Sequence, residues 1–195
     1  MHTHKFITNG EDGMLVTDDT ELASWINSYK HFGMNTSSNT SAVSFQQIGT
    51  NYKLSNLLSA IGTEQMKQVD SLLERILSLA THYKTLLKDI DDIKLPITTK
   101  SGIHSYQSFC IFINNRDEVM LSMRNKGIEV QIGTYALHQH PAYHNTENCK
   151  IHGAMTGSKY AFEHALVLPL YHELTEDDQE YIIQQLLDSI RMNKS

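Results

Sequence analysis

The stretch SYQSFCIFINNRDEVMLSMRNKGIEVQI, residues 105–132, contains the change of periodicity that decides the fold class. Its first part, 105–113, is rich in aromatic and β-branched residues, which predicts a strand. A helix is predicted over 116–126 from apolar residues on one face, and Gly127 ends it. In 128–132 apolar and polar residues alternate, as they do in a half-buried strand. The stretch therefore predicts strand, helix and strand.

The same alternation continues toward the C-terminus. A helix is predicted around 157–165, followed by the apolar run 166–170. A closing helix is predicted from Thr175, because Thr175 and Asp178 have the spacing of a capping box. We therefore expect a small α/β or α+β layer in the C-terminal half.

On the N-terminal side of this layer, apolar residues recur every three or four positions from Leu54 to Leu87. This spacing predicts one long helix, and Gly62 is the position at which it could bend. At about 1.5 Å per residue the helix would extend on the order of 50 Å. We expect a helix longer than a small domain to link two lobes or to pack against a partner subunit.

The chain before this helix is predicted to be less regular. Residues 14–16 are apolar and are predicted to form a strand, and the acidic residues at 18–21 are predicted to cap a short helix that ends at Gly33. Residues 34–41 are small and polar and favour a loop.

Composition narrows the class of protein. The chain has 195 residues, 16 of them basic and 22 acidic, with a formal net charge of -6 and no basic run, which argues against a nucleic-acid binder. No apolar run is long enough to span a membrane and no signal peptide is recognised, so a cytoplasmic location is expected. Cys110 lies in an apolar stretch and Cys149 in a polar one, which argues against a disulfide.

The first thirteen residues, MHTHKFITNGEDG, place Lys5 just before a polar turn that contains glycine. The pattern His-x-x-Lys-x-x-Thr-x-Gly-Glu-x-Gly, followed by an apolar stretch and Thr-Asp-Asp, resembles the segment of the DegT/StrS nucleotide-sugar aminotransferases that carries the cofactor lysine. The resemblance implies that Lys5 is the Schiff-base lysine and the general base. Related sugar dehydratases have histidine there, so a lysine favours transamination.

Further motifs resemble the same family in the same order along the chain. They are GTNYKLSN at 49–56, Ser105-Tyr106, GTYALH with Pro-Ala-Tyr at 133–143, and ALVLPLY with Leu-Thr-Glu at 165–176. Together they extend the resemblance over nearly the whole chain.

The resemblance implies an α/β fold, the C-terminal part of a fold type I enzyme that depends on pyridoxal 5'-phosphate and acts as a homodimer. Residues 1–53 would be the end of the large cofactor-binding domain, 54–92 the long linking helix, and 93–195 the small C-terminal α/β domain. The implied reaction transfers an amino group from an amino acid, glutamate in the first instance, to a nucleotide-linked keto sugar in polysaccharide or amino-sugar biosynthesis.

Three further residues receive roles from the resemblance. Asn51 stands where the family has an amide that reaches the phosphate of the neighbouring subunit's cofactor. Lys53 replaces the usual arginine, and it keeps the positive charge but loses the bidentate geometry. His138 matches the family's Leu-His and is expected to approach the substrate.

Histidine is abundant, and the chain has 11. His138 and His140, with His144, Cys149 and His152, suggest a soft-metal site, but the spacing matches no helical two-histidine zinc motif and no carboxylate is placed as a base. We expect no metal and an exposed loop facing the substrate. A small binding module whose histidine-rich loop captures a ligand is a further alternative.

Members of the family are about twice as long as this chain, beyond the usual size of one domain. The resemblance implies that the N-terminal half supplies most of the cofactor pocket. We therefore expect these residues to be inactive alone and to need the N-terminal half, either as a separately encoded chain or from an undamaged gene. The alternative is a non-catalytic fragment that acts at most as a dimerisation module built on the long helix.

Overall fold

A computed structural model describes residues 7–10, 13–34, 44–143 and 149–193. The chain divides into two compact units, Met1–Asp70 (unit 1) and Ser71–Ser195 (unit 2). Most of the predicted polar loop at 34–41 lies outside the described residues. The predicted three-part division at 53 and 92 stays a prediction.

Unit 1 contains the helices α1 (Thr20–Tyr29) and α2 (Asn56–Met66). The predicted carboxylate cap of α1 is confirmed, because the Asp19 side chain accepts hydrogen bonds from the Glu21 and Leu22 amides at 2.9 and 3.0 Å. The helix ends at Tyr29 rather than at Gly33. Gly33 instead closes the following turn, with a φ of 80° and its amide donating to the Ser28 carbonyl at 2.8 Å.

The strand predicted at residues 14–16 is wrong. These three side chains are between 62% and 88% exposed and belong to no strand. Strand formation needs a neighbour for the backbone donors and acceptors, and none of the described residues pairs with this segment.

The single long helix predicted from Leu54 is also wrong, because it is interrupted. After α2 the chain makes a turn at Lys67 and Gln68, and α3 (Val69–Leu87) follows. The Lys67 and Gln68 amides donate to the carbonyls of Glu64 and Gln65, three residues back, at 3.3 and 3.1 Å. Such bonds tighten the chain and interrupt the α-helical ladder. The bend does not lie at Gly62, which is inside α2.

Unit 2 is the predicted α/β layer. In chain order its remaining elements are β1 (Phe109–Phe112), α4 (Arg116–Asn125), β2 (Gln131–Ile132), a 3₁₀ turn (Leu137–Gln139), α5 (Thr156–His164), β3 (Ala165–Leu168) and α6 (Glu176–Met192). The strands form an antiparallel sheet in the order β1-β3-β2, with Phe109 opposite Leu168 and Gln131 opposite Val167. The predicted alternation of strand and helix is therefore confirmed.

The strands are shorter than predicted. The predicted strand at 105–113 begins only at Phe109, because Tyr106 has a φ of 50° and its amide donates to the His104 ring at 2.9 Å instead of to a neighbouring strand. The capping box at the start of α6 is confirmed. Thr175 Oγ1 accepts from the Asp178 amide at 3.1 Å, and Asp178 accepts from the Thr175 amide at 3.1 Å.

The core of unit 2 lies between the sheet, α3, α4 and α6. Its largest fully buried side chains include Tyr83, Phe109, Leu79, Leu87, Ile111, Met123, Leu166 and Leu186. Arg75 fixes the chain before α6, because its guanidinium donates to the carbonyls of His172 and Leu174 at 3.2 and 2.7 Å. Cys110 and Cys149 are both free, as expected.

Across the described ranges, no helix has the length and apolar character that crossing a membrane requires.

Candidate functional site

The predicted covalent residue, Lys5, lies outside the described residues, so its role stays a prediction. The chain just after it, residues 7–10, is docked on α2. Asn9 is 3% exposed, and its side-chain amide donates to the Leu58 carbonyl at 3.3 Å. The Thr8 amide donates to Gln65 Oε1 at 3.3 Å. The segment that follows Lys5 is therefore held at two points on one helix.

Gly62 makes this docking possible. It is buried inside α2, and a Cβ at this position would lie 3.2 Å from the Asn9 side-chain nitrogen. Glycine normally weakens a helix interior by about 1 kcal/mol relative to alanine. Here the missing side chain gives Asn9 room to reach the helix backbone.

Asn51 is positioned by a short backbone ribbon that joins the turn after α1 to residues 44–52. The Thr50 amide donates to the Tyr29 carbonyl at 2.9 Å, and Asn51 pairs with His31 in an antiparallel bridge. The two backbones approach closely at Gly33 and Gly49, where a Cβ on Gly49 would lie 2.2 Å from the Gly33 nitrogen. These two glycines therefore allow the ribbon that presents Asn51 to form.

Lys53 follows on the same exposed segment. Its ammonium nitrogen lies 4.3 Å from the centre of the Phe32 ring, a cation-π contact that at exposed sites contributes about 0.5–1 kcal/mol. The neighbouring Tyr52 ring lies 6.4 Å from that of Tyr29. The ribbon thus fixes the lysine with an aromatic ring in place of a carboxylate, which leaves its positive charge without a salt-bridge partner among the described residues.

The donor set at this place fits an anion. Asn51 offers a neutral amide, and Lys53 offers an ammonium group two residues later. Two residues after Lys53, the Ser55 hydroxyl caps α2 by accepting a hydrogen bond from the Leu58 amide at 3.2 Å. An amide donor and a cation suit the phosphate of pyridoxal phosphate, which carries close to two negative charges at neutral pH. The residues present therefore fit the phosphate end of this cofactor.

His138 lies in unit 2, in the 3₁₀ turn, and is half-buried. Beside it, Tyr135, His140 and Phe162 form an aromatic cluster with ring centres 5.7 to 6.2 Å apart. Among the described residues, which exclude His144, no group of three histidine, cysteine, aspartate or glutamate side chains could hold a metal ion. The part of the histidine-rich loop that can be described therefore gives no support to the metal interpretation.

Asn51 and Lys53 both lie in unit 1, on the exposed segment before α2, and residues 7–10 are docked on that helix. His138 belongs to the other unit. The sequence interpretation missed Asn9 and assigned Gly62 to a bend. The signal that could have identified their contact is a glycine in the middle of an apolar helix pattern, since such a glycine often marks a close approach of another chain segment.

Comparison with known proteins identifies the same family as the sequence motifs do. Residues 1–187 match the sequence profile of the DegT/DnrJ/EryC1/StrS aminotransferase family. The chain is 27% identical to a dTDP-4-amino-4,6-dideoxy-D-glucose transaminase of Shigella dysenteriae, over 95% of the chain and 50% of that protein. It is 26% identical to the spore coat polysaccharide biosynthesis protein SpsC of Bacillus subtilis, over 96% of the chain and 51% of that protein.

A solved structure shares the fold. The aminotransferase TlmJ from Streptoalloteichus hindustanus matches with a TM-score of 0.83 at 22% identity, covering 97% of this chain and 50% of its own. The chain therefore spans about half the length of the relatives that it matches.

Proposed function

Because the chain belongs to the DegT/DnrJ/EryC1/StrS aminotransferase family, we propose that it takes part in transferring an amino group to a nucleotide-linked keto sugar. Aminotransferases of this family use pyridoxal phosphate. The amino donor in this proposal is an amino acid, glutamate in the first instance. The product would be an amino sugar for polysaccharide or amino-sugar biosynthesis.

The observation that carries the proposal is the family match over 1–187, which includes the lysine segment. The docking of residues 7–10 on α2 supports it. Asn9 and Thr8 are held to this helix by hydrogen bonds of 3.3 Å, so the chain three residues beyond Lys5 has a defined place. A lysine that must meet a cofactor in one orientation needs such an anchor.

In this proposal each residue has one task. Lys5 holds the cofactor covalently and moves a proton as the general base, which requires a neutral amine and so a site that lowers its pKa. Asn51 donates its amide, and Lys53 its charge, to the phosphate. His138 approaches the sugar. When bound, pyridoxal phosphate supplies the electron-withdrawing ring that makes the donor's Cα proton acidic.

The apolar surface of unit 1 supports the proposed need for a further polypeptide. Large apolar side chains that remain exposed there include Met14, Leu15, Val16, Leu22, Trp25, Phe45, Ile48, Leu54, Leu57, Ile61 and Met66. When many large apolar side chains are exposed in one part of a protein, they often belong to an interaction surface. We propose that a second subunit of a homodimer, or the half of the relatives that this chain does not match, covers them, and that residues 1–195 alone are inactive.

The test is covalent trapping of pyridoxal phosphate. A polypeptide of residues 1–195 is incubated with the cofactor, reduced with borohydride and mapped by mass spectrometry, alone and after co-expression with the unmatched half of a relative. We expect no stable adduct alone and an adduct at Lys5 in the co-expressed sample. Lys5→Ala should abolish it, while Lys67→Ala, which removes an exposed lysine from the turn after α2, should not.

Three outcomes would contradict parts of this proposal. A stable adduct at Lys5 in the isolated polypeptide would show that the second half is not needed for cofactor binding. An adduct that persists in Lys5→Ala would show that Lys5 is not the residue that binds the cofactor covalently. A dimer in sedimentation that forms no adduct under either condition would favour the non-catalytic dimerisation module, a reading that the exposed apolar surface of unit 1 also supports.

A further inference from the structure

The ribbon that presents Asn51 carries a second polar side chain, that of His31. The two residues are opposite each other in an antiparallel bridge. The bridge is flanked by two backbone hydrogen bonds, from the Phe32 amide to the Thr50 carbonyl at 3.1 Å and from the Tyr52 amide to the Lys30 carbonyl at 3.0 Å. Opposite residues in such a non-hydrogen-bonded pair have Cα atoms about 4.5 Å apart and side chains on one face. The His31 imidazole therefore lies on the same face of the ribbon as the Asn51 amide.

The Phe32 ring brings His31 close to Lys53. The Lys53 ammonium nitrogen lies 4.3 Å from the centre of this ring, and the centre of the His31 ring lies 6.1 Å from it. An imidazole and an ammonium group thus lie next to one aromatic ring, and the Asn51 amide is presented by the neighbouring segment of the ribbon. Three groups that can donate hydrogen bonds to one ligand are therefore gathered in unit 1.

The backbone at Phe32 is held in an uncommon conformation. Its φ of 62° is in the left-handed region, which bulky residues rarely adopt. Hydrogen bonds hold this turn in place, because the Phe32 amide donates to Thr50 and the Gly33 amide donates to the Ser28 carbonyl at 2.8 Å. Backbone conformations of this kind are concentrated at binding and catalytic sites. The conformation of Phe32 therefore points to a function for the ring that contacts Lys53.

The charge of this part of the chain favours an anion. Residues 22–63 contain no aspartate or glutamate, although the chain has 22 acidic residues. The basic side chains in this stretch are Lys30, His31 and Lys53, and none of them belongs to an ion pair among the described residues. Because no described carboxylate neutralises the two ammonium groups at ion-pair distance, they attract anions to the ribbon.

The side chains of His31 and Asn51 are available to such a ligand. His31 is half-buried and Asn51 is exposed, and neither makes a side-chain hydrogen bond with another described residue. Both can donate an N–H to a phosphate oxygen. Lys53, which replaces the arginine usual in the family, supplies charge without the second N–H of a guanidinium fork. The His31 ring offers a directional donor that can take the place of that second N–H.

We propose that His31 is a third phosphate-binding residue. Its ring N–H donates to a phosphate group that also accepts from the Asn51 amide and the Lys53 ammonium. This inference rests on the proposed function, which assigns Asn51 and Lys53 to the cofactor phosphate.

The test is a phosphate titration of isotope-labelled polypeptide 1–195, followed by NMR of the Asn51 side-chain amide and the His31 ring. Inorganic phosphate is raised to about 50 mM at neutral pH, with sodium chloride of equal ionic strength as the control. We expect saturable shifts of both groups with phosphate and none with chloride. His31→Leu should weaken phosphate binding at the Asn51 amide by about tenfold, because it removes one hydrogen bond to a charged group.

Two further variants show whether the loss comes from the hydrogen bond. His31→Gln keeps an N–H donor and should bind phosphate within about threefold of the wild type. His152→Leu is the matched control, because it removes an exposed histidine of unit 2, and it should leave phosphate binding unchanged. The backbone amide signals of Thr50 and Tyr52 should stay in place in His31→Leu, since the ribbon is held by backbone hydrogen bonds.

Two larger probes identify the source of the phosphate. Pyridoxine 5'-phosphate, which has no aldehyde and forms no Schiff base, represents the cofactor, and uridine diphosphate represents a nucleotide-linked substrate. Tighter binding of the first assigns the three residues to the cofactor phosphate, and tighter binding of the second assigns them to the diphosphate of the substrate. Either result supports the inference when His31→Leu weakens binding of the tighter probe.

The inference is overturned if His31→Leu binds phosphate as the wild type does. That result would confine His31 to the end of α1, where a positive group is also favoured, and would leave the roles of Asn51 and Lys53 intact. If phosphate causes no saturable shift at Asn51, the inference fails together with the phosphate-binding roles of Asn51 and Lys53. An adduct at Lys5 in the trapping experiment would still support the proposed transamination, so the two failures are distinguishable.

Discussion

The two units differ in where their apolar side chains lie. Among the described residues, unit 2 buries 23 apolar side chains, from Ile76 to Ile190, whereas unit 1 buries none. Unit 1 is nevertheless the unit that carries the motifs expected to hold the cofactor. Because apolar burial is the main favourable term in folding, unit 2 has a core of its own, whereas the described residues of unit 1 form none, which is the basis of the proposal that a further surface covers unit 1.

The buried polar residues of unit 1 lead to the same conclusion. The buried non-glycine residues described in unit 1 are Asn9 and Ser28, and Asn9 serves to dock the lysine segment on α2. Unit 1 is thus held by hydrogen bonds, caps and a backbone ribbon. Hydrogen bonds contribute about 1 kcal/mol each, so they order the segments without replacing a core.

The largest expected effect comes from the same substitution made once in each unit. Leu186→Ala removes a fully buried side chain from α6 and should lower the free energy of unfolding by about 2–5 kcal/mol. Leu57→Ala in α2 removes a side chain that is 80% exposed and should change it by less than about 0.5 kcal/mol. Urea unfolding of the polypeptide 1–195 measures both. Equal losses would show that unit 1 has a core that the structure does not contain.

Helix caps give the next largest difference. Thr175→Ala removes the cap of α6 and should cost about 1 kcal/mol in urea unfolding. Ser55→Ala removes the corresponding cap of α2, where the Leu58 amide loses its acceptor. We expect its effect on the main unfolding transition to be less than about 0.5 kcal/mol, because unit 1 contributes little to that transition. A larger loss of unfolding free energy in Ser55→Ala than in Thr175→Ala would contradict the expected difference between the two units.

The pH dependence of stability provides a further test of the α6 cap. Hydrogen bonds from the Thr175 side chain and backbone lower the pKa of Asp178 from its ordinary value of 3.8. The stabilisation from this pair is therefore complete above pH 3.8 and is lost as the pH falls through the lower, folded-state pKa. The stability difference between wild type and Thr175→Ala should shrink in that acid range. A difference that stays constant there would mean that Asp178 is not coupled to the cap.

The smallest expected effect concerns two helical glycines. Gly157 in α5 has open space where a Cβ would be, so Gly157→Ala should stabilise the protein by about 0.5 kcal/mol. Gly62→Ala places a Cβ 3.2 Å from the Asn9 side-chain nitrogen. The stability that alanine adds to the helix should therefore be offset by the displacement of Asn9. The NMR signals of the Asn9 side-chain amide should move in Gly62→Ala and stay unchanged in Gly157→Ala. If the Asn9 signals move in neither variant, the proposed contact between Asn9 and α2 is contradicted.

Much of unit 2 could be predicted from the sequence, because its signals are local. Thr175 and Asp178 have capping-box spacing, Gly127 follows α4, and the apolar faces repeat with helical or strand periods. The prediction failed where partners decide the structure. Residues 14–16 have strand composition but no strand to pair with among the described residues, and the apolar spacing passes through Lys67 and Gln68 without revealing the turn there.

The candidate site was predictable only as motifs. Asn51 and Lys53 were identified by resemblance, but the Phe32 ring under Lys53 and the ribbon that presents Asn51 depend on contacts between distant residues.

The most direct test of the central claim, that unit 1 lacks a core of its own, is amide hydrogen exchange on monomeric polypeptide 1–195. We predict that amides in α1 and α2 exchange with protection below about 10²-fold, while those of β1, β3, α4 and α6 are protected more than about 10⁴-fold, because only unit 2 must unfold globally to exchange. Equal protection of the helices in the two units of the monomer would contradict the account.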